Sequence, residues 1–225
     1  MARKEYRQQL ADLREDVLYM SEVVLERLRM GLDALDAKDE ELAEEVIVGD
    51  HEINQMYLDL ERQCTDLIAL QQPVAGDLRF IAASFKIITD LERIADLATN
   101  LGKYTRQAER DVFPDVDVQG IGSTCVEMVE AAMDAYANED VESCYAIDRR
   151  DDDLDRKCER ASGLVVRDLI ETELDEGSDE EIERLLQDVS RLLLTIRDLE
   201  RVGDHAVNIA ARTLYMVEND DELLY

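Results

Sequence analysis

The chain of 225 residues carries 55 Asp and Glu against 25 Lys and Arg, a formal charge of -30, with 46% hydrophobic residues. That charge repels nucleic-acid phosphates and anionic head groups, which argues against direct DNA or RNA binding; the apolar fraction is ample for one or two cores. The longest uncharged stretch, residues 67–76, contains Gln71, Gln72 and Pro73, and the opening MARKEYRQQL has no apolar segment behind its charges, so no membrane insertion or targeting is expected.

Only five of the basic residues are lysine (4, 38, 86, 103 and 157), and such an acid-rich, lysine-poor surface resembles that of proteins from high-salt cytoplasm, where counterions screen self-repulsion. Cys64, Cys125, Cys144 and Cys158 show no C-x-x-C spacing and fall in helical patterns. They read as buried thiols in a reducing cytoplasm.

With two Pro, nine Gly and long helical periodicity, the chain predicts an all-α protein of six helices. The first runs from about residue 5 to Ala37, with Leu13, Val17, Val24, Leu28, Leu32 and Leu35 on one side. Asp39, followed by Glu40 and Glu41, predicts an N-cap for a second helix reaching about Leu70. Its apolar stripe is Leu42, Val46, Ile53, Tyr57, Leu60, Cys64 and Leu67, and Pro73 closes it. A third helix follows to about Arg106. Residues 111–123 have linker character, with Pro114, Gly120 and Gly122, and a capping box at Thr124 and Glu127 predicts a fourth helix over 125–137. Asp140 then caps a fifth helix to about Glu173. Gly177 and a second capping box, Ser178 with Glu181, introduce a sixth over 179–217.

The two halves repeat one another. Asp90–Leu101 and Asp198–Ile209 share seven of twelve residues, and each contains Leu-Glu-Arg-(Ile/Val)-(Ala/Gly)-Asp. Upstream, Asp39, Val46, Asp50, Ile53 and Asn54 align with Asp140, Ile147, Asp151, Leu154 and Asp155. The expected organisation is two tandem antiparallel three-helix bundles, residues 1–110 and 124–225, joined by 111–123.

Each repeat places a carboxylate pair four residues apart on one helix face: Glu92 with Asp96, and Glu200 with Asp204. Apolar stripes lead into both, Ile81, Phe85 and Ile88 in the first, Ile182, Leu186, Val189, Leu193 and Ile196 in the second. Burial of these carboxylates is therefore expected, and uncompensated burial costs several kcal/mol. Arg93 and Arg201, roughly 100° round the helix, are expected to point elsewhere.

A second polar pair interrupts each preceding helix: Asp50 with Asn54, and Asp151 with Asp155. In an antiparallel hairpin, placing Asp50 level with Asp96 and Asn54 with Glu92 centres the turn on Pro73. Placing Asp151 level with Asp204 and Asp155 with Glu200 centres it between Gly177 and Ser178. Both are turns on independent grounds. Four oxygen-bearing side chains per bundle should converge, and a bound cation at each of two sites is the expectation. Oxygen donors suit hard divalent or trivalent ions such as Mg, Mn or Fe, with Zn as a further candidate. With four carboxylates against three and an amide, the second site should bind more tightly. His51 and His205 neighbour the sites in sequence but are offset by one residue, which predicts a surface or supporting role. The competing expectation for all these carboxylates is a solvated helix surface on a metal-free scaffold.

On these residues the chain resembles the PhoU family of phosphate-transport regulators. The similarity covers roughly residues 10–218, including Val48-Gly-Asp50-His-Glu-Ile-Asn54, Gln72-Pro-Val-Ala-Gly-Asp-Leu-Arg79 and both Leu-Glu-Arg segments. The resemblance implies a six-helix, two-bundle fold with metal clusters at the paired (Asp/Glu)-x-x-x-Asp motifs. It also implies a cytoplasmic negative regulator, a homodimer, acting on the ATPase of a phosphate ABC transporter and, in bacteria, on a sensor kinase. The acidic surface departs from ordinary members, as does Asn54 where the second repeat has Asp155.

The enzyme alternative is a carboxylate-bridged di-iron oxidoreductase in a helix bundle. It requires Glu-x-x-His on two helices, and neither His51 nor His205 has a Glu three residues before it. A non-enzyme is expected. With so much negative charge, binding of free phosphate without a metal is not expected.

Overall fold

The computed structural model describes residues 2–107, 116–171 and 179–223. Among these are six helices and no strand: α1 (Ala2–Ala37), α2 (Glu40–Gln71), α3 (Ala75–Gln107), α4 (Val118–Asn138), α5 (Val141–Glu171) and α6 (Asp179–Glu218). The caps behave as local chemistry requires. Asp39 Oδ1 accepts from the Glu41 and Leu42 amides, both at 3.0 Å, and Asp140 Oδ1 accepts from Glu142 and Ser143 at 3.1 and 3.3 Å. Gln72, with φ 47°, ends α2 in the left-handed region immediately before Pro73.

α4 starts earlier than the sequence pattern predicts. Asp117 caps it by accepting from the Gly120 amide at 2.8 Å, so residues 118–123 of the expected linker are helical. Thr124 is not a cap; its hydroxyl donates to the Gly120 carbonyl one turn back at 2.8 Å. Gly122 marks close packing rather than a break, because a Cβ there would overlap the Leu32 side chain. The predicted turn and capping box at Gly177 and Ser178 lie outside the described residues.

α1, α2 and α3 pack together, as do α4, α5 and α6, and the two groups share one core. Leu13, Val17, Val24 and Leu28 of α1 are fully buried, as the predicted stripe requires, whereas Leu186 is 47% exposed at the outer end of α6. Gly102 lets α3 approach α2 closely: a Cβ there would lie 2.9 Å from the Ala43 carbonyl oxygen. Between the bundles, the Arg14 guanidinium lies over the Phe80 and Tyr136 rings at 4.9 and 5.7 Å. Buried Tyr136 Oη in turn sits 2.7 Å from Ser84 Oγ.

α3 and α6 form the main seam between the bundles, and the ends of the repeated segment bond across it reciprocally. Asn208 Nδ2 donates to Asp90 Oδ1 at 3.3 Å, and Asn100 Nδ2 donates to Asp198 Oδ2 at 3.2 Å. As numbering rises along α3 the partner falls along α6, so the helices run antiparallel about a local pseudo-two-fold. Each carboxylate gains a second cross-seam partner. His205 Nδ1 lies 2.9 Å from Asp90 Oδ1, and Tyr104 Oη donates to Asp198 Oδ2 at 2.8 Å. Burial, then the bond to Asp198, push the Tyr104 hydroxyl up to about 12, so it stays protonated and donating.

The two ends differ in depth: the Asp198 side chain is 0% exposed, that of Asp90 15%. Asp198→Ala should therefore cost about 3–5 kcal/mol, because it strands Tyr104 and Asn100 and breaks a buried charged network. Asp90→Ala should cost about 1–2 kcal/mol. Urea unfolding of both variants checks the order; equal losses would show that the seam is not deeper at Asp198.

Candidate functional site

The α2–α3 and α5–α6 hairpins carry the predicted side chains at the edge of the core rather than inside it. Asp50, Asn54, Glu92, Asp96, Asp151 and Glu200 are half-buried, whereas Asp155 and Asp204 are exposed. The expectation of full burial is corrected. Inward positions of the repeated segments are filled by Leu91, Ala95 and Ala98 on α3 and by Leu199, Val202 and Ala206 on α6. The carboxylates flank that stripe.

In the first hairpin the polar groups are largely neutralised by their neighbours. Asn54 Nδ2 donates to Asp50 Oδ2 at 2.7 Å, and Thr99 Oγ1 donates to Asp50 Oδ1 at 3.4 Å. The Asp50–Thr99 contact and the Gly102–Ala43 approach agree with a hairpin centred near Pro73. Arg93 does not point elsewhere. Its long side chain curls back to reach Glu92 Oε2 at 3.6 Å and Asp96 Oδ2 at 3.5 Å. Burial, then Asp96, still raise Glu92; Arg93 opposes them, Asp50 adds to them, and His205 opposes.

The second hairpin lacks that compensation. Asp151 Oδ1 is buried with no hydrogen-bond partner. Burial first, then Asp155, Asp204, Asp148 and Asp152, push the Asp151 carboxyl up to about 7. Glu200 is raised by burial, then by Asp155 and Asp204. Asp204, although exposed as a residue, is raised by the protein around its carboxyl and then by Asp155, with His205 and Arg201 opposing. Repulsion among Asp151, Asp155, Glu200 and Asp204 therefore acts across the α5–α6 hairpin. Gly203 admits Asp151 so deeply: a Cβ there would overlap Leu154 and lie 2.9 Å from Asp151 Oδ1. The first repeat has Ala95 at that position.

Among the described residues, no group of three or more His, Cys, Asp or Glu side chains forms a ready-made cage for a metal ion. The donor chemistry of the second cluster nonetheless fits a hard cation, since it is all oxygen, concentrated in negative charge and contains an orphaned buried acceptor. The first cluster fits less well, because an amide, a hydroxyl and a guanidinium already serve it.

His205 belongs to the α3–α6 seam, and His51 is exposed on α2. All four cysteines are free and buried. Burial raises Cys64, Cys125, Cys144 and Cys158, the first and last to about 12, so all remain thiols at neutral pH. Asp90, Asn100, Tyr104 and Thr99 are the site-supporting residues that the sequence reading did not assign. For Asp90 and Asn100 the available signal was their identity with Asp198 and Asn208 at the two ends of the repeated segment.

The family profile described as the PhoU domain matches the chain twice, at residues 17–105 and 118–213. A relative from Methanothermobacter thermautotrophicus, named phosphate-specific transport system accessory protein PhoU homolog 1, is 34% identical over 215 residues, covering 94% of each chain. The crystal structure of PhoU from Pseudomonas aeruginosa superposes with a TM-score of 0.85 at 31% identity, covering 96% of this chain and all of that one. The crystal structure of the phosphate transport system regulatory protein PhoU from Streptococcus pneumoniae superposes with a TM-score of 0.84 at 26% identity.

The raised Asp151 carboxyl makes stability depend on pH. The folded state holds this proton more tightly than the unfolded chain does. Its contribution is therefore complete below about pH 4, the ordinary carboxylate range, and is lost as pH rises through about 7. Discounted for solvent around a half-buried group, the loss is about 1–2 kcal/mol. In chelator at constant ionic strength, the melting temperature of the wild type should fall between pH 5 and 8. Asp151→Asn should flatten that fall by about 2–4 °C or more. Parallel profiles for the two proteins would contradict the assignment.

Proposed function

The chain belongs to the PhoU family, and from that premise we propose that it is a cytoplasmic accessory regulator of phosphate uptake that binds metal cations. In this reading it restrains a phosphate ABC transporter through the ATPase subunit, and acts on a sensor kinase where one exists. The names borne by its relatives support the transport role: they are accessory or regulatory proteins of phosphate transport systems. None of the described helices is long and apolar enough to cross a membrane, which is compatible with a partner reached from the membrane surface. The regulatory names also favour a non-enzyme over the di-iron alternative. A homodimer is part of the proposal.

The observation that carries the cation reading is Asp151, a buried carboxylate oxygen without a donor amid Asp155, Glu200 and Asp204. A hard cation held by these four side chains would supply the positive charge that lets them ionise together. Asp50, Asn54, Glu92 and Asp96 would hold a second, more weakly, since Arg93, Asn54 and Thr99 already offset their charge.

Calorimetric titration of metal-free protein with Mn or Mg ions tests the sites. The tighter event should weaken roughly tenfold in Asp204→Asn, with the loss of one charge-assisted ligand, and persist in Asp96→Asn. Absence of any binding would return these carboxylates to the solvated-surface reading. For the regulatory role, the immobilised protein should recover a phosphate-transporter ATPase, and a deletion strain should show raised phosphate uptake. No recovery together with unaltered uptake would overturn it.

A further inference from the structure

The seam between α3 and α6 opens on one side into a cleft of about 290 Å³ lined by Arg93, Asp96, Leu97, Asn100, Lys103 and Arg201. In a chain of formal charge -30, this cleft gathers three cations against one carboxylate. Arg93 and Arg201 are the same residue of the two repeats, brought to a common cleft by antiparallel packing. Lys103, one of only five lysines, has no basic counterpart in the second repeat, where Ala211 stands.

The internal partners of these cations are loose. Arg93 meets Glu92 and Asp96 at 3.6 and 3.5 Å, Lys103 meets Asn100 Oδ1 at 3.4 Å, and Arg201 meets Asp198 at 3.9 Å. Well-formed charge-assisted bonds are shorter, at about 2.7–2.9 Å. Asp198 does not depend on Arg201, since Arg197, Tyr104 and Asn100 hold it at 3.0, 2.8 and 3.2 Å. Two guanidinium forks and an ammonium therefore retain donor capacity facing a common space.

We infer that this cleft binds a small phosphate-type oxyanion, either inorganic phosphate or the phosphate of a mononucleotide. Planar guanidinium forks match tetrahedral oxyanions with paired N–H donors. The volume lies at the lower end for small-molecule sites. Leu97 is the single apolar residue of the lining, so a base or other apolar moiety adds little. The net charge alone argues against metal-free phosphate binding, but the long-range repulsion of the acidic surface is screened within about 10 Å at 0.1 M salt. At the cleft the near cations dominate. The site adjoins the first cation cluster, with which it shares Arg93 and Asp96, and does not rest on the proposed regulatory role.

The test is isothermal titration of the full chain in chelator, at constant ionic strength, with inorganic phosphate and with AMP, and acetate as control. Saturable one-to-one binding of phosphate, with none of acetate, is expected. Lys103→Gln and Arg201→Gln should each weaken it roughly tenfold without lowering the melting temperature of the unliganded protein. Asp96→Asn should strengthen it severalfold, an effect of opposite sign that misfolding does not produce. Equal affinities for phosphate and AMP would make the phosphoryl group the whole determinant; a much tighter AMP complex weakened by the same variants would support the site with a nucleotide as its source. Absence of saturation by either, or variants that bind as wild type does, would overturn the inference.

Discussion

A fully buried carboxylate at a helix crossing tolerates only arrangements that satisfy it. Asp198 meets that condition with Tyr104 and Asn100 from the opposite bundle and Arg197 from its own helix. Sliding α3 along α6 by one turn would separate these partners, so the bonds select one register. Asp90, with His205 and Asn208, repeats the constraint at the other end of the crossing. Apolar packing between the bundles contributes most of the attraction, but it discriminates less sharply between neighbouring registers.

With that register set, the Leu-Glu-Arg segments cannot turn their carboxylates toward the partner bundle. Leu91, Ala95, Ala98 and their counterparts face inward, and Glu92, Asp96, Glu200 and Asp204 lie along the flanks beside α2 and α5. The duplicated clusters have then diverged in how they manage charge. Asn54, Thr99 and Arg93 settle the first internally. In the second, Gly203 admits Asp151 close to the backbone, and burial, then the surrounding acids, leave it protonated more readily than an ordinary carboxyl. Such a cluster is under electrostatic tension that a proton or a cation relieves.

Much of this architecture was legible in the chain itself. The capping aspartates 39 and 140 and the turn at Pro73 follow from local chemistry, and hairpin arithmetic places Asp50 within a turn of its partner on α3, Thr99. Periodicity was less informative about depth. It identifies the residues that share a helix face, not how far a neighbouring helix extends over that face, so carboxylates at the margin of a stripe looked like core. Gly120 and Gly122 looked like linker residues because glycine reports either a break or a close approach, and only the packing of Leu32 distinguishes the two. Arg93 leaves the helix about 100° from Glu92, yet its long, flexible side chain reaches back across that angle. The basic cleft was invisible, since Lys103 and Arg201 become neighbours only through the seam.

The reciprocal seam and the shared core should make the two repeats one cooperative body. Differential scanning calorimetry of the metal-free protein measures this cooperativity. A single transition with a calorimetric to van't Hoff enthalpy ratio of about 1 is predicted. Two resolved transitions, or a ratio near 2, would show that the bundles unfold independently and that the seam does not unite them.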